Sequence, residues 1–380
     1  MAAPVQTYAG AVDKGLEGVV ACTTKISFIV GATLLYRGYE IEDLAANSNF
    51  EETTFLLWND RMPNAAELES FSQSLNTAMA LPQDLVKQLQ ALPTKGVHPM
   101  AWLRTATSML GLWDADAQDI EGEPAKKVAL RLTAQMGTLV ALFERTRQGK
   151  GYVEPKKGKS VAWNFLYMMT GTEPKDSYVK VMDTALVLHA DHELNCSAFA
   201  SRVTASSLSD IYSSVVSAIG ALKGPLHGGA NEQVMLMLKE IGSVDKAKTW
   251  IKEALAGKQK IMGFGHRVYK NGDPRAKILR ELSQSLTKEA GMPHWYEMSA
   301  MIDDTVQAEK GLLPNVDFYS ATVYYSLGIP IDIYTPIFAI SRVSGWLSHI
   351  FEQYSNNRIY RPRGEWKGKE GLKWKPVASR

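Results

Sequence analysis

Apolar positions recur with a period near 3.6 along most of the chain, and polar breaks separate one such run from the next. Ala65 to Met79 is amphipathic, between the break Met62-Pro63-Asn64 and the break Leu81-Pro82. Gln83 to Gln90 predicts a short helix, and His98-Pro99 introduces another over Met100 to Leu112. The acidic, turn-rich stretch Asp114 to Pro124 predicts a loop, after which Val128, Leu132, Met136, Leu139, Val140 and Phe143 return to helical spacing. Gly149 to Lys159 predicts a second loop. Tyr178 to Ala190 and Ile211 to Leu222 are apolar nearly all round, as buried helices are. Stripes at Val234, Met237, Leu238 and Ile241, and from Val343 through Tyr354, predict two more. Only Thr23 to Tyr39 differs: it is β-branched and alternates around Gly31, which predicts a short hairpin or extended arm. Glu40 to Leu44 and Glu51 to Asn59 then resume the helical pattern. The fold class expected is all-α with a small β element near the start.

Composition narrows the class without naming a function. A chain of 380 residues can bury a large core and form two domains. Its formal charge of +2 marks it for neither nucleic acid nor membrane, and no apolar run of about eighteen residues exists to span a bilayer. Basic residues gather only in the tail from Arg358 to Arg380, a pattern expected of solvated charge. Cys22 and Cys196 are the only cysteines and Met1 to Gly10 lacks the pattern of a secretory signal, so a reducing, cytoplasmic setting is expected.

The stretch Gly263 to Arg280, G-F-G-H-R-V-Y-K-N-G-D-P-R-A-K-I-L-R, holds the densest candidate chemistry. Gly263 and Gly265 permit positive φ or a close ligand approach. His266 follows them among the cations Arg267 and Lys270. Asp273-Pro274 predicts an N-cap followed by proline at the first helical position, which puts Arg275 in a first turn that favours anions. A capped surface helix after a loop accounts for the same residues without a ligand.

Other groups carry similar pairs of readings. His189 and His192, in H-A-D-H-E-L-N-C, share a helix face and could hold a metal, but no third ligand follows in a recognised spacing. Both also suit hydrogen-bonded core or ligand-contacting positions. His227, in K-G-P-L-H-G-G-A-N-E, precedes a helix; a neutral imidazole there can donate to a developing oxyanion, or the glycines simply make a tight turn. Asp317, in L-L-P-N-V-D-F-Y-S, reads as a helix cap or as a general base raised by its apolar neighbours. Arg342 lies beside the stripe of the last long helix, where a guanidinium calls for an anionic partner, and Arg361 and Arg363 follow in the tail. Together these groups suit proton abstraction beside a carbonyl and attack on a second, anionic carbonyl compound. A dicarboxylate-binding pocket without chemistry is the alternative.

G-P-L-H-G-G-A-N, G-F-G-H-R-V-Y-K-x-x-D-P-R and N-V-D-F-Y-S, in this order, resemble the citrate synthase family, as do L-Y-R-G-Y-E-I-E-D-L-A and I-Y-R-P-R. The resemblance runs from about Gly15 to Lys367. It implies an all-α homodimer whose large domain (1–227 and 328–380) and small domain (228–327) close over the site. It assigns Asp317 to removal of a methyl proton from acetyl-CoA, His227 to the thioester oxygen and His266 to the oxaloacetate carbonyl. His192, Arg275 and Arg342 would hold oxaloacetate carboxylates, and Arg361 would complete the other subunit's site. Ile261, Gly263, Gly265, Lys270 and Lys310 would contact CoA, a cosubstrate rather than a resident cofactor, and no metal is implied. The chain lacks the N-terminal extension of the hexameric, NADH-inhibited members, and its segment Ser27 to Tyr36 is short beside many relatives. The family also contains 2-methylcitrate synthases, which prefer propionyl-CoA.

Overall fold

The computed structural model describes residues 14–265, 269 and 272–380. The early β element is a sheet of three antiparallel strands, β1 (Ser27–Val30), β2 (Thr33–Tyr36) and β3 (Tyr39–Glu40), in that order. Gly31 takes φ +64° in the two-residue turn, a conformation that glycine adopts without steric cost. Ser27 pairs with Tyr36 in register, and both are buried, while Phe28 and Val30 on the other face are exposed.

The first helices are α1 (Ile41–Asn47), α2 (Phe50–Asn59), α3 (Ala65–Ala78), α4 (Gln83–Gln90) and α5 (Pro99–Trp113). Asn49 ends the run from α1 and starts α2 by accepting from the Glu52 N–H at 2.8 Å, and Asn64 with Glu67 forms a capping box for α3. The long α6 (Gly122–Arg147) starts two residues before Pro124, inside the stretch expected to be a loop, because proline is tolerated in a first helical turn. Then come α7 (Val161–Thr170), α8 (Asp176–His189), α9 (Cys196–Ala205) and α10 (Ile211–Leu222). The chain continues through α11 (Ala230–Ile241), α12 (Val244–Ala256), α13 (Pro274–Glu289), α14 (His294–Lys310), α15 (Val316–Ser326) and α16 (Tyr334–Ser355). The sequence pattern had not singled out α7, α9, α12 or α14 as separate helices.

Helix α16 is the hub. It is buried from Tyr334 through Ile350 and packs on α2, α6, α8, α9 and α10. Such all-round burial requires an apolar helix whose few polar groups find partners inside, and Ser341, Arg342, Ser348 and His349 each bond to another element. Helices α11 to α15 pack largely on one another, α13 and α11 against α15 and α12 against α14. The seam between this group and the α16 group receives the chain turn after α8, the α10–α11 turn and the N-termini of α13 and α15. Among the described residues no helix is long and apolar enough to cross a membrane.

Candidate active site

Asp317 lies in the first turn of α15, but it is not the cap. Asn315 caps this helix, its Oδ1 accepting from the Asp317 N–H at 3.0 Å. The carboxyl is thereby released from capping, and its Oδ1 is buried without a hydrogen-bond partner. Burial raises it to about 7 and Asp273 adds to the rise, while Arg275 and Arg342 oppose it. A carboxylate poised near neutrality suits a general base.

The glycine loop is tied to the same helix start. Gly263 O accepts from the Asn315 N–H at 2.9 Å, the Gly265 N–H donates to Leu313 O at 3.1 Å, and Asn315 Nδ2 donates to Gly265 O at 3.0 Å. Gly263 has φ +81°, and a Cβ there would lie 2.9 Å from Phe318 and from Val234. Gly265 has φ +78° with open space around it. His266 and Lys270, expected to act on oxaloacetate and CoA, lie outside the described residues. Tyr269 is described and buried, and its hydroxyl is 3.1 Å from His192 Nε2. Nothing in residue type pointed to Tyr269 beyond its place inside the loop motif.

At His227 the glycines do make a tight turn. The Gly228 N–H donates to Leu222 O at 3.0 Å, and a Cβ at Gly228 would lie 2.5 Å from that oxygen. This tight turn off the end of α10 carries His227 to Ser197, whose backbone N–H donates to His227 Nε2 at 3.2 Å. An N–H cannot accept, so in that bond Nε2 is the acceptor and the ring proton sits on Nδ1; Ser197 Oγ lies 2.8 Å from the same nitrogen. Burial, with a smaller contribution from Arg342, lowers the imidazole to about 4, so it is neutral at pH 7. Asn195 and Trp346 fix Ser197 in turn, through Oδ1 at 2.8 Å and Nε1 at 3.0 Å.

The arginines differ in what they hold. Arg275 sits in the first turn of α13 as expected, with Asp273 as N-cap, but its fork is already occupied: Nε and Nη2 donate to the two Asp273 oxygens at 2.9 and 2.8 Å. Asp273 Oδ2 also accepts from the Val316 N–H at 3.1 Å, so one carboxylate joins α13 to α15. Arg342 is 1% exposed and donates through Nε to His189 O at 2.7 Å, with its guanidinium over the Phe338 ring. Among the described residues no carboxylate lies within salt-bridge distance of it. Both guanidinium groups act electrostatically on Asp317 and on His189.

His189 and His192 do not converge as a metal pair. His189 Nδ1 bonds Ala185 O at 2.7 Å within its own helix, whereas His192 faces Tyr269. Arg361 and Lys310 are exposed in this chain. Ile261 is buried beside the glycine loop.

A neutral imidazole before α11, a raised carboxyl in the first turn of α15 and the Arg342 guanidinium within α16 interact electrostatically inside a mostly helical fold. Residues 15–363 match the family model described as citrate synthase, C-terminal domain. The chain is 54% identical over 367 residues to citrate synthase 2 of Bacillus subtilis (strain 168), covering 97% of this chain and 99% of that one. It is 41% identical to 2-methylcitrate synthase 2 of Corynebacterium glutamicum, covering 97% and 98%. A solved ternary complex of carboxymethyl coenzyme A and oxaloacetate with the citrate synthase of Thermoplasma acidophilum superposes with a TM-score of 0.90 at 32% identity, covering 97% of this chain and all of that one. The chain belongs to the citrate synthase family, enzymes of the acyltransferase type.

Proposed function

We propose that this chain condenses acetyl-CoA with oxaloacetate to citrate and CoA, and that the residues gathered at the seam carry the reaction. The observation that carries the reading is Asp317: a buried carboxyl with one oxygen unpartnered, raised to about 7 on a helix capped by another residue. As base, Asp317 takes a methyl proton of acetyl-CoA. His227, its proton on Nδ1, donates to the thioester oxygen as the enol forms, so no free carbanion develops. The enol carbon attacks the oxaloacetate ketone carbon while His266 protonates the ketone oxygen. Water then cleaves citryl-CoA to citrate and CoA.

His192, Arg275 and Arg342 bind the oxaloacetate carboxylates in this reading, since a guanidinium fork matches a carboxylate. Ile261, Gly263 and Gly265 face the CoA adenine, and Lys270 and Lys310 its phosphates. Arg361 serves the site of a second copy, which accounts for its exposure in one chain and requires a homodimer. Helices α11 to α15 form the small domain, 228–327, whose closure on the rest excludes water during condensation. Two cysteines without a disulfide agree with a cytoplasmic setting.

The similarity to a 2-methylcitrate synthase supports a second reading, in which propionyl-CoA is the preferred acyl donor. One methylene in an apolar pocket discriminates by about 1–3 kcal/mol. Free-CoA release is measured with oxaloacetate and each acyl-CoA. A higher kcat/KM for acetyl-CoA is expected; a higher value for propionyl-CoA would select the second reading, and no release with either would overturn both.

A further inference from the structure

A second row of buried polar groups runs behind the pocket. The Asp191 side chain is wholly buried, and its Oδ2 accepts from Ser27 Oγ and lies 3.2 Å from His349 Nε2. His349 Nδ1 faces Arg202 Nη1 at 3.2 Å. A guanidinium can only donate, so Nδ1 accepts and the ring proton on Nε2 points at Asp191. Arg202 is anchored in turn by Glu352 at 2.6 Å and Gln353 at 3.2 Å. Burial alone would raise the Asp191 carboxyl, but His349, Arg342 and Ser27 together hold it below its ordinary value.

This row pins the 190–195 turn to α16. Arg342 Nε grips His189 O, and one turn later Gly345 lets the backbones meet: a Cβ there would lie 2.4 Å from Ala190 O and 2.5 Å from Asp191 Oδ1. One turn further, His349 holds the Asp191 side chain. From the other side Tyr36 Oη accepts from the Asp191 N–H at 3.1 Å and lies 2.7 Å from Asp191 O. The next residue, His192, meets the Tyr269 hydroxyl of the glycine-loop segment at 3.1 Å. Asp191 Oδ1 makes no hydrogen bond, yet its charge acts on Arg342. The guanidinium is thus balanced at a distance without being paired, and its Nη atoms stay available. A buried ion costs several kcal/mol when unpaired, and an apolar side chain would pack the turn more cheaply.

We infer that Asp191, through His349 and Ser27, is a positioning residue for the dicarboxylate: it fixes the turn so that His192 and Arg342 meet the same ligand. The inference rests on the oxaloacetate reading of the pocket. Oxaloacetate binding by titration calorimetry is compared in wild type, D191N, H349L, H349Q and S27A, with KM for acetyl-CoA measured beside it. Glutamine can still accept from Arg202 and donate to Asp191, whereas leucine can do neither. D191N and H349L are expected to weaken oxaloacetate binding by about tenfold to a hundredfold, the scale of a misplaced contact, with KM for acetyl-CoA within about twofold. H349Q should bind within about threefold of wild type, and S27A should show the split at about twofold to fivefold.

Equal binding by H349L and H349Q, or a parallel rise in both substrates' constants, would overturn the inference. If D191N does not fold, the two His349 variants decide; if H349L fails as well, S27A decides by the same split. Wild type that binds oxaloacetate but releases no CoA would remove the synthase reading and leave this one standing. No binding by wild type overturns both.

Discussion

The 190–195 turn and the 261–265 loop both lead the chain into the pocket, yet they are held in opposite ways. Side chains clamp the turn: Ser27 and Tyr36 from the sheet, Arg342 and His349 from α16. It even holds Glu193 at φ +50°, with the Glu193 N–H donating to Ser27 Oγ at 2.7 Å. A non-glycine residue in that region costs on the order of 1 kcal/mol or more and persists only where its surroundings over-determine it. The loop is held mainly by backbone pairing with residues 313–315, with one side-chain bond from Asn315 Nδ2 to Gly265 O and no room for a Cβ at Gly263. Clamping by buried polar groups fixes directions, as recognition of a small rigid anion requires. Backbone pairing leaves a smooth surface against which a long cosubstrate can lie.

The sharpest test removes the proposed base on the loop side. Asp317→Asn should lower kcat by about a thousandfold or more with substrate binding nearly kept, as loss of a general base does. It should also stabilise the protein at neutral pH. The folded carboxyl is raised from 3.8 to about 7, so the native state holds the extra proton between those values and stability falls as pH rises through them. Asparagine removes that dependence. A thermal-melt comparison in which the variant's gain in stability over wild type does not grow from pH 4 to 7 would refute the assignment. In wild type the acid limb of kcat/KM is expected near pH 7.

Next comes the clamp. Gly345→Ala sets a Cβ against the Ala190 carbonyl and Asp191, and should cost about 3 kcal/mol, the upper range for overpacking. Denaturant unfolding reads the stability, and any activity that remains should be weakened toward oxaloacetate first. Gly263→Ala should cost about 2 kcal/mol, because φ is positive and Phe318 and Val234 crowd the site. Its kinetic signature should be the reverse, a raised KM for acyl-CoA. Equal effects on both substrates from both glycine variants would erase the contrast between turn and loop.

The smallest effect concerns His227. Burial lowers it to about 4 from 6.5, so the unfolded state binds the extra proton between those values. The contribution of His227 to stability should therefore decline as pH falls from 6.5 toward 4, opposite in sign to that of Asp317, and His227→Gln should remove that contribution. An unchanged slope, measured by urea titration at several pH values, would count against a buried neutral ring.

Most helices, and the motifs holding His227, Asp317 and Arg275, were legible from the sequence because each leaves a local mark. Periodicity, Asn64 with Glu67 before α3, and Asp273-Pro274 before α13 depend only on near neighbours in the chain. The capping of α15 was less legible. Asp317 and Asn315 both fit a helix start, and only the backbone showed that asparagine caps and leaves the aspartate unbonded. Asp191, Tyr36, Ser197 and Tyr269 carried no signal as site groups, because the partners that tie them to the site lie 30 to 164 residues away.

By itself the sequence determined an all-helical chain, its short hairpin and the residue types of an acid–base site, since propensity, capping and period act over a few residues. Only the tertiary structure decided which of those groups are neutral, paired or unsatisfied. Burial and the direction of a hydrogen bond arise from elements far apart in the chain. Arg275 finds its carboxylate two residues away at Asp273, whereas packing against α8 gave Arg342 a backbone carbonyl and, among the described residues, no carboxylate.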